Sequence, residues 1–397
     1  MKTRNGASRN RFGTAGCRME ETLDRHEHYL LKKDGRFLVA ELRTPHQVLS
    51  TSACSGGMTD RVRFLVNHQS VEGQGHLDRF EWMLGLGETG YHHHICKELG
   101  LESEAVAMMG TAANMNYAAR IVETFAELRV CAVVTAGVEG NAGCAGDPAD
   151  WHEAESGQME RHPHERHPHD GTINTMLLVN WPLTPGAMAR AVVTMTEGKS
   201  AALRDLAVSS RYSQDLATGT GTDQYSIAAP LDESKRPKAR AGHHAKLGEL
   251  IGRSVRRATL EALRWQNGLE ASGTRSLYHA LKRYGFKADL LPPAMESRLG
   301  AEEYALLDRN IRSVVHDPGV SAAAYAYAAV WDRLRYGTLS TELAAPLLRQ
   351  QAAVLASAVA TKPEAWPACF EQLAVHEDAL LDAVYDAIAL GWRLKWT

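Results

Sequence analysis

The chain changes character near residue 245, and no other feature limits its fold as much. Before that point, short apolar runs alternate with loops rich in Gly, Thr, Ser and Asn; from Lys246 onward nearly every segment has helical spacing. Upstream, "HYLLKKDGRFLVAEL" (28–42) sets two apolar runs about Asp34-Gly35, a hairpin signal. "HQVLSTSA" and "RVRFLVNHQSV" read as further strands separated by Gly56-Gly57, and "RVCAVVTAGV" (129–138) and "GTINTMLLVN" (171–180) read as buried strands. The spacing of Ala118, Ile121, Val122 and Phe125 predicts a helix over "NMNYAARIVETFAEL". Another is predicted over 187–206, with Met188, Val192, Met195 and Leu203 along one face. "DESKRPKARAGHH" reads as an exposed linker. Beyond it, "KLGELIGRSVRRATLEALRWQ" puts Leu247, Leu250, Ile251, Val255, Ala258 and Ala262 on one stripe. Segments 300–315, 320–336, 341–360 and 370–392 are rich in helix formers.

The expected fold is α/β, a mixed sheet with flanking helices, followed by an α-helical C-terminal region. The expected boundaries are a disordered leader over 1–20, an α/β domain over 21–245, and a helical region over 246–397 that packs on or extends the first domain. At 397 residues, such a division is ample. A net charge of −3 supplies no basic field for nucleic acid. No uninterrupted apolar run approaches the roughly 20 residues of a membrane span. The basic N-terminus lacks the apolar stretch of a secretory signal, so a cytoplasmic location is expected. The six cysteines are scattered without a C-x-x-C pair, which argues against a disulfide framework or a zinc knuckle.

Chemistry should reside in the polar loops at the strand ends. These are "STSACSGG" (50–57), "TAGVEGNAGCAGD" (135–147), "DGTINT" (170–175) and "ATGTGTD" (217–223). Glycine lets backbone approach a ligand, while Thr and Asn supply neutral donors and acceptors. Many hydroxyls and amides with few charges suit a large, amide-rich ligand better than a bare phosphate. "ATGTGTD" lacks the Gly-Lys-Ser/Thr ending of a Walker loop and the spacing of a dinucleotide fingerprint.

In order and spacing, "VLSTSACSGG", "VTAGVEGNAGCAGDP", "GTINTMLLVN", "AMARAVVTMTEGKSAAL", "ATGTGTDQYSIA" and "HHAKLGELIG" resemble the adenosylcobinamide amidohydrolase (CbiZ-type) family over about residues 30–265. The resemblance implies hydrolysis of the amide joining the aminopropanol arm to the corrin ring, giving adenosylcobyric acid and 1-aminopropan-2-ol in corrinoid salvage. Three features depart from the family's pattern. Ser55 stands where the first loop often has Asn, Gly198 makes "TEGK" of a "TEAK" block, and a His-rich insertion precedes "GTINT".

Amide hydrolysis needs a base, an acid for the leaving amine and oxyanion donors. Asp223 reads either as the acid/base or as a turn carboxylate, Glu197 as a base or a solvated helix charge, and Lys199 as the partner of a site carboxylate or another solvated charge. His68 is a base or acid candidate, or a structural histidine. Ser52, Cys54, Asn141, Asp147, Thr172, Asn174, Thr218, Thr220 and Thr222 are candidates for holding substrate, against backbone-capping or core roles. His76, His162, His164, His167 and His169 are metal-ligand candidates, the last four within a Pro-interrupted segment that also reads as a solvated loop. The resemblance implies no cofactor, and the cobalt corrinoid enters as substrate. Two alternatives stay open: a same-fold enzyme acting on another amide, and a non-hydrolytic tetrapyrrole or metal binder that holds metal or haem through His ligands. The expected partner is a small-molecule corrinoid, without nucleic acid or a membrane span. The helical tail is expected to cover the site or to form a homo-oligomer interface.

Overall fold

A computed structural model describes residues 20–397, apart from 74, 157, 158, 162–170 and 377. Six strands come first: β1 (Glu20–Arg25), β2 (Tyr29–Asp34), β3 (Phe37–Leu42), β4 (His46–Ser50), β5 (Gly57–Thr59) and β6 (Phe64–Gln69). Helix α1 (Leu77–Leu99) then leads to β7 (Val106–Thr111), β8 (Ala119–Phe125), β9 (Leu128–Ala136) and the short β10 (Ala142–Gly143). The hairpin β11 (Trp151–Glu153) and β12 (Met159–Arg161) is followed by β13 (Ile173–Val179), α2 (Pro185–Asp205), β14 (Gly219–Thr220), β15 (Gln224–Pro230) and α3 (Lys246–Asn267).

Besides the two-stranded pairs β10-β14 and β11-β12, the described strands form two large sheets, ordered β1-β2-β3-β6-β7 and β5-β4-β15-β13-β9-β8. Period-two alternation gives each strand two faces. On β9, Cys131 and Val133 face the first sheet with Met176, Leu178 and Ala228, whereas Val130, Ala132 and Val134 face α2 and α3 with Leu177 and Ile227. The first sheet's outer face packs Phe37, Val66 and Val106 against Tyr91, Ile95 and Cys96 of α1. The layers therefore run helix, sheet, sheet, helices. A fully buried Leu, Ile or Met side chain contributes about 1.5–3 kcal/mol, so these three apolar seams hold the layers together.

Each sheet contains one parallel pair bridged by an outer helix: β6–α1–β7 in the first and β13–α2–β15 in the second. Pro185 opens α2, and Thr184 caps it by accepting the Ala187 amide at 3.2 Å. Gly198 has a packing reason. A Cβ there would lie 2.8 Å from the Gly252 carbonyl oxygen, so α2 and α3 touch backbone to backbone. α3 packs on β9 and beside α2, so its stripe belongs to the core of the second sheet rather than to the helices that follow.

Those helices are α4 (Ala271–Thr274), α5 (Leu277–Leu281), α6 (Leu291–Glu296), α7 (Ala301–Val315), α8 (Pro318–Arg335), α9 (Thr341–Ala360), α10 (Trp366–Gln372) and α11 (Leu380–Lys395), and from α5 onward they share a separate core. α9 has the length and apolarity of a membrane-crossing helix. It packs against α8, α10 and α11, which bury half of its apolar stretch.

One sequence expectation changes, and one lies beyond reach. Residues 119–125 form β8, not a helix, because they pair with 128–134 as the outer arm of a hairpin. The leader expected over 1–20 falls outside the described residues except at its last position.

Candidate active site

The C-terminal ends of β4, β6, β7 and β9 and the starts of β13 and β15 lie at one end of the sandwich. There the loop 137–147 meets "ATGTGTD": Ala142 and Gly143 pair with Thr220 and Gly219. Asp223 sits where this loop turns into β15. Its Oδ1 accepts the Ile173 amide at 3.0 Å and the Thr220 hydroxyl at 2.5 Å, and its Oδ2 accepts the Thr220 amide at 3.1 Å and an ion-paired hydrogen bond from Lys199 Nζ.

A carboxylate has about four lone-pair sites. All are taken, so Asp223 organises its surroundings and has no vacant site for a water proton. Lys199 comes down from α2, with its side chain 13% exposed. Only one of its three N–H donors is used on Asp223. Gly219 makes room for the pair, since a Cβ there would stand 2.4 Å from Asp223 Oδ2 and 2.5 Å from Lys199 Nζ. The glycine at position 219 of the loop thus has a steric cause.

Beside the ion pair lies a chain of neutral groups. Thr172 Oγ1 and Thr222 Oγ1 share a 2.7 Å hydrogen bond, and Thr222 donates to the Gly171 carbonyl at 2.9 Å. Asn141 Nδ2 donates to the same carbonyl at 3.0 Å and lies 3.4 Å from Thr222 Oγ1. Tyr212 donates to Asn141 Oδ1 at 2.5 Å. Asp147 is a loop-fixing carboxylate: it accepts the Cys144 amide at 2.7 Å and the Ser210 hydroxyl at 2.6 Å. Thr218 Oγ1 accepts the Ala145 amide at 2.8 Å, tying the two loops together.

The structure therefore gathers Asp223, Lys199, Asn141, Asp147, Thr172, Thr218, Thr220 and Thr222, and places the other candidates elsewhere. Glu197, two residues from Lys199 on α2, points the other way and pairs with His243 at 2.5 Å on the surface. His68 is fully buried beneath α1, stacked on Phe37, with Nδ1 against the Met109 carbonyl at 3.0 Å and Nε2 against the Tyr91 hydroxyl at 2.8 Å. Burial pushes it down to about 3, helped by Arg36 and Arg79, so it stays neutral. Asn174 is also fully buried, but between the sheets, where it donates to Asn67 Oδ1 at 2.9 Å and to the Gly110 carbonyl at 3.0 Å. Ser52 is buried too. It donates to the Cys54 carbonyl at 2.5 Å and accepts the Met108 amide at 3.0 Å, while Cys54 is half-buried in the same turn.

His76 accepts the Glu72 amide at 3.1 Å just ahead of α1. His162, His164, His167 and His169 lie outside the described residues. Among the described residues, no three His, Cys, Asp or Glu side chains stand together as a metal cluster.

Sequence reading missed Tyr212 and Ser210. The signal available was "RYSQD" (211–215), a hydroxyl- and amide-rich run directly before the Gly/Thr loop.

Comparison with known proteins bears on this arrangement. A family model described as adenosylcobinamide amidohydrolase matches residues 19–271. An uncharacterized protein of Methanocaldococcus jannaschii is 35% identical over 235 residues, covering 58% of this chain and 87% of the relative. A crystal structure of a Pyrococcus horikoshii protein aligns over 62% of this chain and 82% of its own at 14% identity, with a TM-score of 0.28, too slight a likeness to support any inference.

Proposed function

Because the chain belongs to the adenosylcobinamide amidohydrolase family, we propose that it hydrolyses the aminopropanol amide of adenosylcobinamide, releasing adenosylcobyric acid and 1-aminopropan-2-ol. The observation that carries this reading is the Lys199–Asp223 pair, held at the mouth of a loop cluster whose other groups are threonine hydroxyls and an asparagine amide. Lys199 supplies a fixed positive charge and two further N–H donors to the scissile carbonyl oxygen, where negative charge develops as water adds. Asp223 fixes that ammonium. Thr172, Thr222 and Asn141 supply neutral hydrogen bonds suited to the carboxamide rim of a corrin. A cytoplasmic location goes with the reading and is supported by the free Cys54, Cys96, Cys131, Cys144 and Cys369.

The test is incubation of purified protein with adenosylcobinamide, followed by mass spectrometry of the products. Adenosylcobyric acid and free aminopropanol are expected. Corrinoid that binds but stays intact would refute the reading in favour of a binder. Absence of both binding and turnover would point to a different amide substrate.

A further inference from the structure

The family match ends at residue 271, yet the helices beyond it reach back to the candidate site. On α8, Asp332 holds Arg283 in a two-pronged ion pair, with Nη1–Oδ1 and Nη2–Oδ2 both 2.5 Å. Tyr284 donates to the same carboxylate at 2.5 Å, and its ring stacks on Trp331 at 4.2 Å between centroids. Locked in this way, Arg283 Nη1 also donates to the Gln214 carbonyl at 3.1 Å. Arg335, at the end of α8, pairs with the Asp215 carboxylate.

Gln214 and Asp215 belong to one loop, closed by a bridge between Ser209 and Leu216 and by the Ser210 amide donating to the Asp215 carbonyl at 2.8 Å. The loop's other side faces the site. Ser210 holds Asp147, Tyr212 holds Asn141, and the Arg211 amide donates to the Ala142 carbonyl at 2.9 Å. A single loop thus links the helical region to Asn141 and Asp147.

We propose that the helical C-terminal region clamps this loop, with Arg283 and Arg335 as positioning residues that fix Asn141 through Tyr212. The proposal rests on the reading that the Asn141–Thr222–Lys199 cluster is the active site. It gives a function to "RYGF" (283–286) and "DRLRYG" (332–337): the two segments pair with each other, and each sends one arginine to the loop.

The experiment uses the full chain. Amide hydrogen exchange over 209–217 is followed without substrate in Arg335→Ala, Asp215→Ala, the double variant and Arg283→Lys. Each single alanine variant should speed exchange in this loop by at least about fivefold, and the double variant should add nothing further, because both remove the same link. Arg283→Lys, which keeps the charge but loses the two-pronged geometry, should also speed it. With adenosylcobinamide, kcat should fall about tenfold in Arg335→Ala while KM moves less than about threefold and Tm hardly shifts.

Unchanged loop exchange in Arg335→Ala, or additive effects in the double variant, would overturn the clamp. If Arg335→Ala does not fold, unchanged exchange in Arg283→Lys overturns it instead. A wild-type protein that leaves adenosylcobinamide intact refutes the reaction and not the clamp, which the exchange data decide independently.

Discussion

The two crossover units, β6–α1–β7 and β13–α2–β15, share one architecture and treat a polar pair beneath the helix in opposite ways. In the first, His68 and Tyr91 meet in a fully closed seam and are neutral. In the second, Lys199 and Asp223 meet at the end of the sheet, side chains 13% and 19% exposed, next to a loop cluster. Histidine is the residue more often associated with acid–base catalysis, but here the imidazole is enclosed by packing and the lysine uses only one of its three donors on Asp223. Access, rather than residue type, separates the two.

Asp223→Asn should break the second unit most severely. An amide cannot accept all four donors or anchor the ammonium, so kcat should fall on the order of 10²–10³ with KM little changed. A kcat within a few-fold of wild type would remove the pair from the chemistry. Gly219→Ala comes next. The added Cβ must displace Lys199 or Asp223, and steady-state turnover should drop at least about tenfold through misplacement alone. An alanine variant with wild-type turnover would show that the pair tolerates displacement.

His68→Gln tests the first unit. It should cost about 1–3 kcal/mol at pH 7, read by urea unfolding, and leave the kcat of folded protein unaltered. Its pH signature has a definite sign. Burial holds the folded His68 down to about 3, well below the ordinary imidazole value of 6.5. Between those values the unfolded chain binds more protons, so stability is present in full above about pH 6.5 and declines as pH falls. His46, pushed down to about 4 mainly by burial, acts in the same direction. The Gln variant should show a shallower decline over that window, and an unchanged slope would contradict the buried neutral imidazole. Glu197→Ala should do least. The exposed pair with His243 contributes under about 0.5 kcal/mol, and turnover should not change; a large loss would return Glu197 to the site.

The sequence displayed the layers better than the seams between them. Hairpin β2–β3, the buried β9 and β13, and α2 and α3 all follow from alternation, apolar runs and stripes. Residues 119–125 misled because Ala118, Ile121, Val122 and Phe125 meet a helical spacing by coincidence, and the hairpin partner that decides the matter lies in the next strand. α1 gave no stripe, since Leu77, Phe80, Trp82, Leu84 and Leu86 are exposed in its first half and Gly87 interrupts its helical backbone.

At the site, Asp223, Lys199 and the threonines were legible as residue types in the right loops. Their arrangement was not. Whether Asn67 or His68 faces the second sheet depends on strand pairing, and the neighbours point to opposite sides. Tyr212–Asn141 and Arg335–Asp215 join residues 71 and 120 positions apart, so no local pattern could announce them.

The layout has a practical side. Every element of the candidate site opens at one end of the sandwich, and the helical region leans on that same end through Asp215 and Gln214. The far end holds the β8–β9 turn at Ala126-Glu127 and the exposed run 236–240, tied down chiefly by the Trp181 indole and the Lys238 amide. It is the handle by which the molecule can be gripped: a fluorophore, affinity tag or surface tether grafted between residues 126 and 127 would leave the working end facing solution.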